Sequence, residues 1–283
     1  MTVYQQRSAE WSLEDGQVEL PDAVDEVLVR VPSGSVTVAV TDGPPRVLVE
    51  GAEGGPILLA HAGGRLTIRQ DGPEGSEAVD DLVGSLLGAA GLRPGVRRRA
   101  EVTVLLPVPA RAGVRTVGAE VMFSGVGAAS AETVSGSVTV SRVPGSTRIL
   151  TLSGAIQAAG VDGVMDVSTA TGDVTIAGGR LGGFRVRTVS GDVAVDAELL
   201  PGDHGFRSVS GNLALRIATP GGLDLDASTF SGSLVCSVGQ LDDLSRPGLR
   251  RVRARDGNGG ARFRSTSVSG DLTVMARPAE GAA

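Results

Sequence analysis

Thr188–Val195 reads TVSGDVAV: a β-branched lead-in, a Ser-Gly corner, and an alternating apolar run. The same eight-residue phrase recurs as TVSGSVTV at Thr133, TLSGAIQA at Thr151 and TATGDVTI at Thr169. It returns as SVSGNLAL at Ser208, TFSGSLVC at Thr229 and SVSGDLTV at Ser267. The corner glycines, Gly136, Gly154, Gly172, Gly191, Gly211, Gly232 and Gly270, stand 18, 18, 19, 20, 21 and 38 residues apart. A degenerate copy, TVGAEVMF at Thr116, precedes them, and VPSGSVTV at Val31 is a distant relative.

A unit of this length, two short strands about a glycine corner, cannot bury its apolar side alone. Stacking the next unit ~4.8 Å away pairs its backbone groups and extends one core. The fold class expected is all-β: a single-stranded β-solenoid, β-helix-like, with rungs of ~18–21 residues. Stacking also predicts columns of like residues. Val138, Ile156, Val174, Val193, Leu213, Leu234 and Leu272 form one apolar column. Val140, Ala158, Ile176, Val195, Leu215, Cys236 and Val274 form the next, with the period of two that a half-buried strand requires. Met165, Phe184, Phe206 and Phe263 are candidates for a third. On the outside, Arg148, Asp166, Arg185, Gly205, Asp226 and Arg264 share one offset from the corner, so Arg148, Asp166 and Arg185 read as neighbours of alternating sign.

The expected organisation is an N-terminal arm over 1–15, an N-terminal β section over 16–110, and solenoid repeats over 111–277. A short helical insertion is expected near 76–91, where Val79, Leu82, Val83, Leu86 and Leu87 fall at helical spacing. A loop insertion is expected near 240–260, and a disordered tail over 278–283.

The chemistry of the chain excludes more than it offers. It has 283 residues, 42 glycines, 2% aromatics and no lysine, which removes lysine Schiff-base chemistry and the P-loop lysine. Net charge is −6, which disfavours nucleic acid as a partner. One cysteine, Cys236, allows no intrachain disulfide; it holds a core column position, not that of a nucleophile. The two histidines, His61 and His204, sit beside glycines and read as surface turn residues. Asp173, Asp192 and Asp271 follow corner glycines and read as turn residues, too diluted for a metal or glycosidic site. No catalytic, cofactor or metal residues are expected, and no enzyme activity. The candidate interaction surface is two arginine clusters, Arg97, Arg98 and Arg99, and Arg250, Arg251, Arg253 and Arg255. A protein partner or a second copy is expected, with a membrane surface as the further target of the arginines. No apolar run reaches the ~18–20 residues of a span and no export signal is read at the N-terminus, so a soluble, cytoplasmic protein is expected.

The repeated T-V-S-G-D-V motif, preceded by strands and by VTVLLPVPARAGVRTV (Val102–Val117), resembles the bacterial β-strand-repeat family often labelled "putative adhesin", related to the toast-rack domains. The resemblance covers roughly residues 16 to 277. It implies a β-repeat fold and no catalytic residues, and relatives that include domains attached to membrane-stress systems. A structural or interaction protein is therefore expected: a scaffold that self-assembles or works with envelope-stress machinery. The competing classes are a recognition module for a glycan or envelope component and, behind it, a polysaccharide-acting β-helix enzyme.

Overall fold

The computed structural model describes residues 9–70 and 98–277. The helical reading near 76–91, the tail and Arg97 lie outside them. All regular structure in the described residues is β. The chain divides into two compact units, Met1–Thr139 and Val140–Ala283.

The first unit contains β1 (Ala9–Leu13), β2 (Gly16–Glu19), β3 (Glu26–Arg30), β4 (Ser33–Val40), β5 (Arg46–Glu53) and β6 (Ile57–Ala62). It continues with β7 (Arg65–Gln70), β8 (Arg99–Leu106), β9 (Arg111–Arg115), β10 (Gly118–Ser124) and β11 (Ala128–Thr133). Two rows of strands result. One runs β1-β6-β7-β3-β9-β11, antiparallel up to β7 and parallel beyond it. The other runs β2-β5-β8-β4-β10, antiparallel up to β8 and parallel beyond it. The distant copy at Val31 pairs with the degenerate copy at Thr116, placing Val36 opposite Val121 and Val38 opposite Phe123. Ala9–Leu13, within the expected arm, is the outer strand of its row.

The second unit starts within β12 (Val138–Val143). It contains β13 (Thr147–Thr151), β14 (Ile156–Val161), β15 (Gly163–Thr169), β16 (Val174–Ser190), β17 (Val193–Leu199), β18 (Gly202–Ser210) and β19 (Leu213–Ala218). The chain closes with β20 (Leu223–Ser231), β21 (Leu234–Cys236), β22 (Gln240–Asp243), β23 (Arg250–Asp256), β24 (Ala261–Ser269) and β25 (Leu272–Ala276). The architecture is β-solenoid-like. Parallel pairing sets Ile156 opposite Val174, Val174 opposite Val193, and Val193 opposite Leu213, all buried.

Chain order and stack order then part. Leu213 pairs with Leu272, and Leu272 with Leu234. Strand β24 lies between β18 and β20, so the last coil in sequence is inserted between the two before it. The first unit is built the same way, with β3 and β4 held between β7 and β8 on one side and β9 and β10 on the other.

The corner glycines are explained by close approach. A Cβ on Gly211 would lie 2.3 Å from the Gly191 carbonyl oxygen, one on Gly270 2.2 Å from that of Gly211, and one on Gly232 2.2 Å from that of Gly270. These contacts repeat the inserted order. A second line of contacts follows the turns. Each polar residue after the corner accepts the next backbone N–H: Asp173 from Asp192 (2.9 Å), Asp192 from Asn212 (3.1 Å), Asn212 from Asp271 (2.9 Å), and Asp271 from Ser233 (2.8 Å). The turn aspartates thus tie coil to coil.

Three expectations need correction. Residues 240–260 are not a loop: β22 and β23 form an antiparallel pair that adds to β20. This covers an edge that would otherwise template further strands, and the new outer strand, β22, is short and acidic. His61 and His204 are not surface residues; they are 2% and 4% exposed. Finally, the aromatic column runs Met165, Phe184, His204, Phe263, and Phe206 belongs to the neighbouring column with Val186. Period two puts His204 inside, because its neighbours Asp203 and Gly205 are the outward positions of β18.

Candidate functional site

The outer face of the second unit's longer row carries the charge. Its strand order is β13-β15-β16-β18-β24-β20-β23-β22, and register defines its outward positions. One line across it reads Arg148, Asp166, Arg185, Gly205, Arg264, Asp226, Arg253, Asp242. The next reads Asp203, Arg262, Asp224, Arg255. A third reads Arg187, Arg207, Thr266, Ser228, Arg251. The inserted coil decides this pattern. It sets Arg264 beside Gly205, where a stack in chain order would have set Asp226.

The face holds a cavity of about 850 Å³, lined from β16 to β22. Its walls include Arg185, Arg207, Arg255 and Arg264, and Gly205 forms part of its floor. Gly205 contributes no side chain, so the line of outward residues dips there, between Arg185 and Arg264.

The aspartates of the face are mostly engaged. Asp226 accepts two hydrogen bonds from Arg251, at 2.8 and 2.5 Å, and lies 3.4 Å from Arg253. Those arginines, Arg251 first, hold its carboxyl below the usual carboxylate range against the opposing effect of burial. Asp166 pairs with Arg187 at 3.4 Å, so the expected alternation with Arg148 and Arg185 holds in register while the ion pair is diagonal. Asp203 pairs with Arg262 at 2.9 Å. Arg185, Arg207, Arg255 and Arg264 have no carboxylate partner among the described residues. Four guanidinium groups therefore line the cavity without an ion pair among the described residues, as do the carboxylates of Asp224 and Asp242. Seven arginines against four aspartates leave the lining net positive, on a chain whose net charge is −6.

The expected arginine clusters divide. Arg251 and Arg253 are committed to Asp226, and Arg250 stands opposite Thr229 at the outer end of β23. Arg255 lines the cavity. In the other unit, Arg99 pairs with Glu101 at 3.6 Å, and the Arg98 carbonyl accepts a hydrogen bond from Ser33. The residues missed from sequence, Arg185, Arg207 and Arg264, are spread over 79 positions of chain (264 minus 185) and form no run. The signal of Arg185 and Arg264 lay in the outward offset they share with Gly205, and that of Arg207 in the next outward position of the same strand as Gly205.

Beneath the floor, His204 Nε2 lies 2.9 Å from the Leu200 carbonyl. Burial holds its imidazole below the usual range, although the Leu200 hydrogen bond and Asp203 act the other way. The Phe184 and Phe263 rings, from the coils on either side, approach to 6.4 Å between centroids. Cys236 is half-buried, and burial pushes its thiol up. No three His, Cys, Asp or Glu side chains gather to hold a metal ion among the described residues.

An apolar ridge borders the arginines on the same outer face. Val189, Val209, Val268 and Phe230 are each at least half exposed, with Phe230 at 64%. Each lies between paired positions, such as Ser208 opposite Ser267 and Ser210 opposite Ser269, so the four stand side by side.

Fold and face together define a β-solenoid-like repeat protein with a cationic groove. Residues 62–275 match the Toastrack DUF4097 family, and the chain belongs to it. No curated protein matches the chain. Among solved structures it is similar to a "putative adhesin" from Parabacteroides distasonis, at 11% identity and TM-score 0.45, covering 95% of this chain and 98% of that one. It is similar to a "putative adhesin" from Bacteroides fragilis, at 9% identity and TM-score 0.34, covering 96% and 98%. A "putative lipid binding protein" from Parabacteroides distasonis shows 14% identity and TM-score 0.32, covering 96% and 98%.

Proposed function

We propose that the chain is a non-enzymatic interaction protein, a single-stranded β-solenoid with coils of ~18–21 residues, that binds an anionic partner through the arginine face of its second unit. The observation that carries this is the set Arg185, Arg207, Arg255 and Arg264, exposed, without an ion pair among the described residues, and lining one cavity in which arginines outnumber aspartates seven to four. The excess of arginine over aspartate in the lining gives this face a local positive potential, which an anion from outside meets favourably. The non-enzymatic reading is supported by the employment of the usual reactive side chains. The turn aspartates hold backbone N–H groups, both histidines are buried, and the Cys236 thiol is pushed away from its nucleophilic form. A cytoplasmic setting, where a single free thiol stays reduced, and work alongside envelope-stress machinery belong to the same proposal.

The test uses the sign of the charge. A protein of net charge −6 should pass through a cation-exchange resin at neutral pH unless a local patch holds it. The wild type is expected to be retained at low salt, and the Arg185→Gln/Arg207→Gln/Arg264→Gln variant to flow through. Passage of the wild type, or equal retention of the variant, overturns the reading.

Self-association is the second reading, and the ridge Val189–Val209–Val268–Phe230 favours it. It would act through this face; β22 and β23 cover the edge of β20. Sedimentation velocity over a hundredfold concentration range tests it; a constant sedimentation coefficient counts against a second copy.

A further inference from the structure

We propose that the dip at Gly205 is a binding site for a phosphate group carried by a larger ligand. This rests on the face being an interaction surface and names the chemistry it takes. Arg185 and Arg264 flank Gly205 on the neighbouring strands, each ~4.8 Å away, and Arg207 lies ~6.6 Å along the same strand. Arginines therefore stand on both sides of a floor position without a side chain and at one end of it, and at the other end Asp203 is paired with Arg262. A planar carboxylate is satisfied by one or two forks, and Asp226 with Arg251 and Arg253 shows that arrangement within this molecule. Arginines placed on three sides of one position suit the tetrahedral oxygens of a phosphate. The cavity of about 850 Å³ is much larger than inorganic phosphate, so the group is part of a bigger molecule. Phe263 in the floor is buried, so the floor itself offers no platform for stacking nucleobases, and the one exposed aromatic of this face among the described residues, Phe230, stands on the ridge at its margin. The ridge at the margin suits a ligand with an apolar portion. A phospholipid headgroup and a soluble polyphosphate share the recognised chemistry.

Gly205→Glu is the decisive variant. A Cβ at Gly205 meets nothing closer than 3.5 Å, and its φ lies outside the left-handed region, so the side chain is tolerated. Its carboxylate would lie between Arg185 and Arg264 as an internal substitute for the ligand. Binding of tripolyphosphate is measured by titration calorimetry. Binding of phosphatidylglycerol vesicles is measured by sedimentation, against phosphatidylcholine vesicles. The wild type is expected to bind at least one of the two anionic probes, more weakly as salt rises. Gly205→Glu and Arg185→Gln/Arg264→Gln are expected to bind at least tenfold more weakly. Gly205→Glu should melt no lower than the wild type, which separates lost binding from lost folding. Arg246→Gln, in the turn after β22, should bind as the wild type does. Binding of tripolyphosphate assigns a soluble ligand, and binding of vesicles alone assigns a headgroup; both support the site. Binding of neither probe, undiminished binding by Gly205→Glu, or equal loss in Arg246→Gln overturns it. Retention on the cation exchanger without binding of either phosphate probe overturns this inference and leaves the interaction face standing.

Discussion

Leu213 is paired with Leu272, 59 residues further along the chain (272 minus 213), and not with Leu234, 21 residues on (234 minus 213). The chain lays down β20 and β21, turns through the β22–β23 hairpin, and returns to fill the gap it left. The coil that ends the sequence is therefore an interior coil.

Position in the stack predicts the cost of truncation. Leu272 is buried between two coils, whereas Leu234 is half-buried in the outer one. Leu272→Ala is expected to destabilise the second unit by about 2–5 kcal/mol, and Leu234→Ala by about 1–2 kcal/mol. Denaturant unfolding followed by circular dichroism reads both. A stack in chain order would reverse the ranking, with Leu272 as the end residue.

Two glycines of the same unit should answer differently to alanine. At Gly211 the new Cβ would press on the Gly191 carbonyl at 2.3 Å, and the coils must move apart at a cost of about 1–3 kcal/mol. At Gly205 the nearest atom is 3.5 Å away, and the change should stay within about 0.5 kcal/mol. Thermal denaturation of the two variants checks the contrast.

His204 makes stability fall on mild acidification. Burial lowers its folded-state pKa, so below the unfolded value of ~6.5 the unfolded chain binds a proton that the folded chain resists. Above that pH the residue contributes no dependence. As pH falls from ~6.5 toward the lowered folded value, stability is lost progressively. His204→Phe, which continues the column of Phe184 and Phe263, should flatten the denaturation midpoint between pH 7 and 5. An unchanged slope would contradict the burial of the imidazole.

Asp226 acts at lower pH. Its folded-state pKa is depressed, chiefly by Arg251, so its contribution is complete above the unfolded value of ~3.9 and is lost as pH falls through the depressed one. Asp226→Asn should lower the melting temperature at pH 7 and narrow the gap from the wild type below pH 3. It should also leave Arg251 and Arg253 uncompensated and strengthen retention on a cation exchanger. Weaker retention would contradict the charge lattice of the face.

The coil, its alternation and its columns were legible in the sequence because burial writes a period of two and the corner glycines mark the phase. Stack order was not legible. Leu213, Leu234 and Leu272 are the same residue in the same column, so packing chemistry ranks no pairing above another. His204 was misread because flanking glycines resemble a turn, although Asp203 and Arg207 already marked the outward phase of β18. The β23 stretch RRVRARD hid its strand character, since Val252 and Ala254 are its only apolar residues. The cationic face was half legible. The offset shared by Arg185, Gly205 and Arg264 was visible, but only the inserted coil makes the three adjacent.

Disulfide cross-linking in a Cys236→Ser background tests that insertion. Val209 and Val268 stand on adjacent strands, within the Cα separation of ~4.4–6.8 Å that a disulfide spans, while Phe230 is one strand further. Val209→Cys/Val268→Cys is expected to cross-link on mild oxidation, and Val209→Cys/Phe230→Cys to remain reduced. Cross-linking of the second pair and not the first would contradict the inserted coil and the arginine groove built on it.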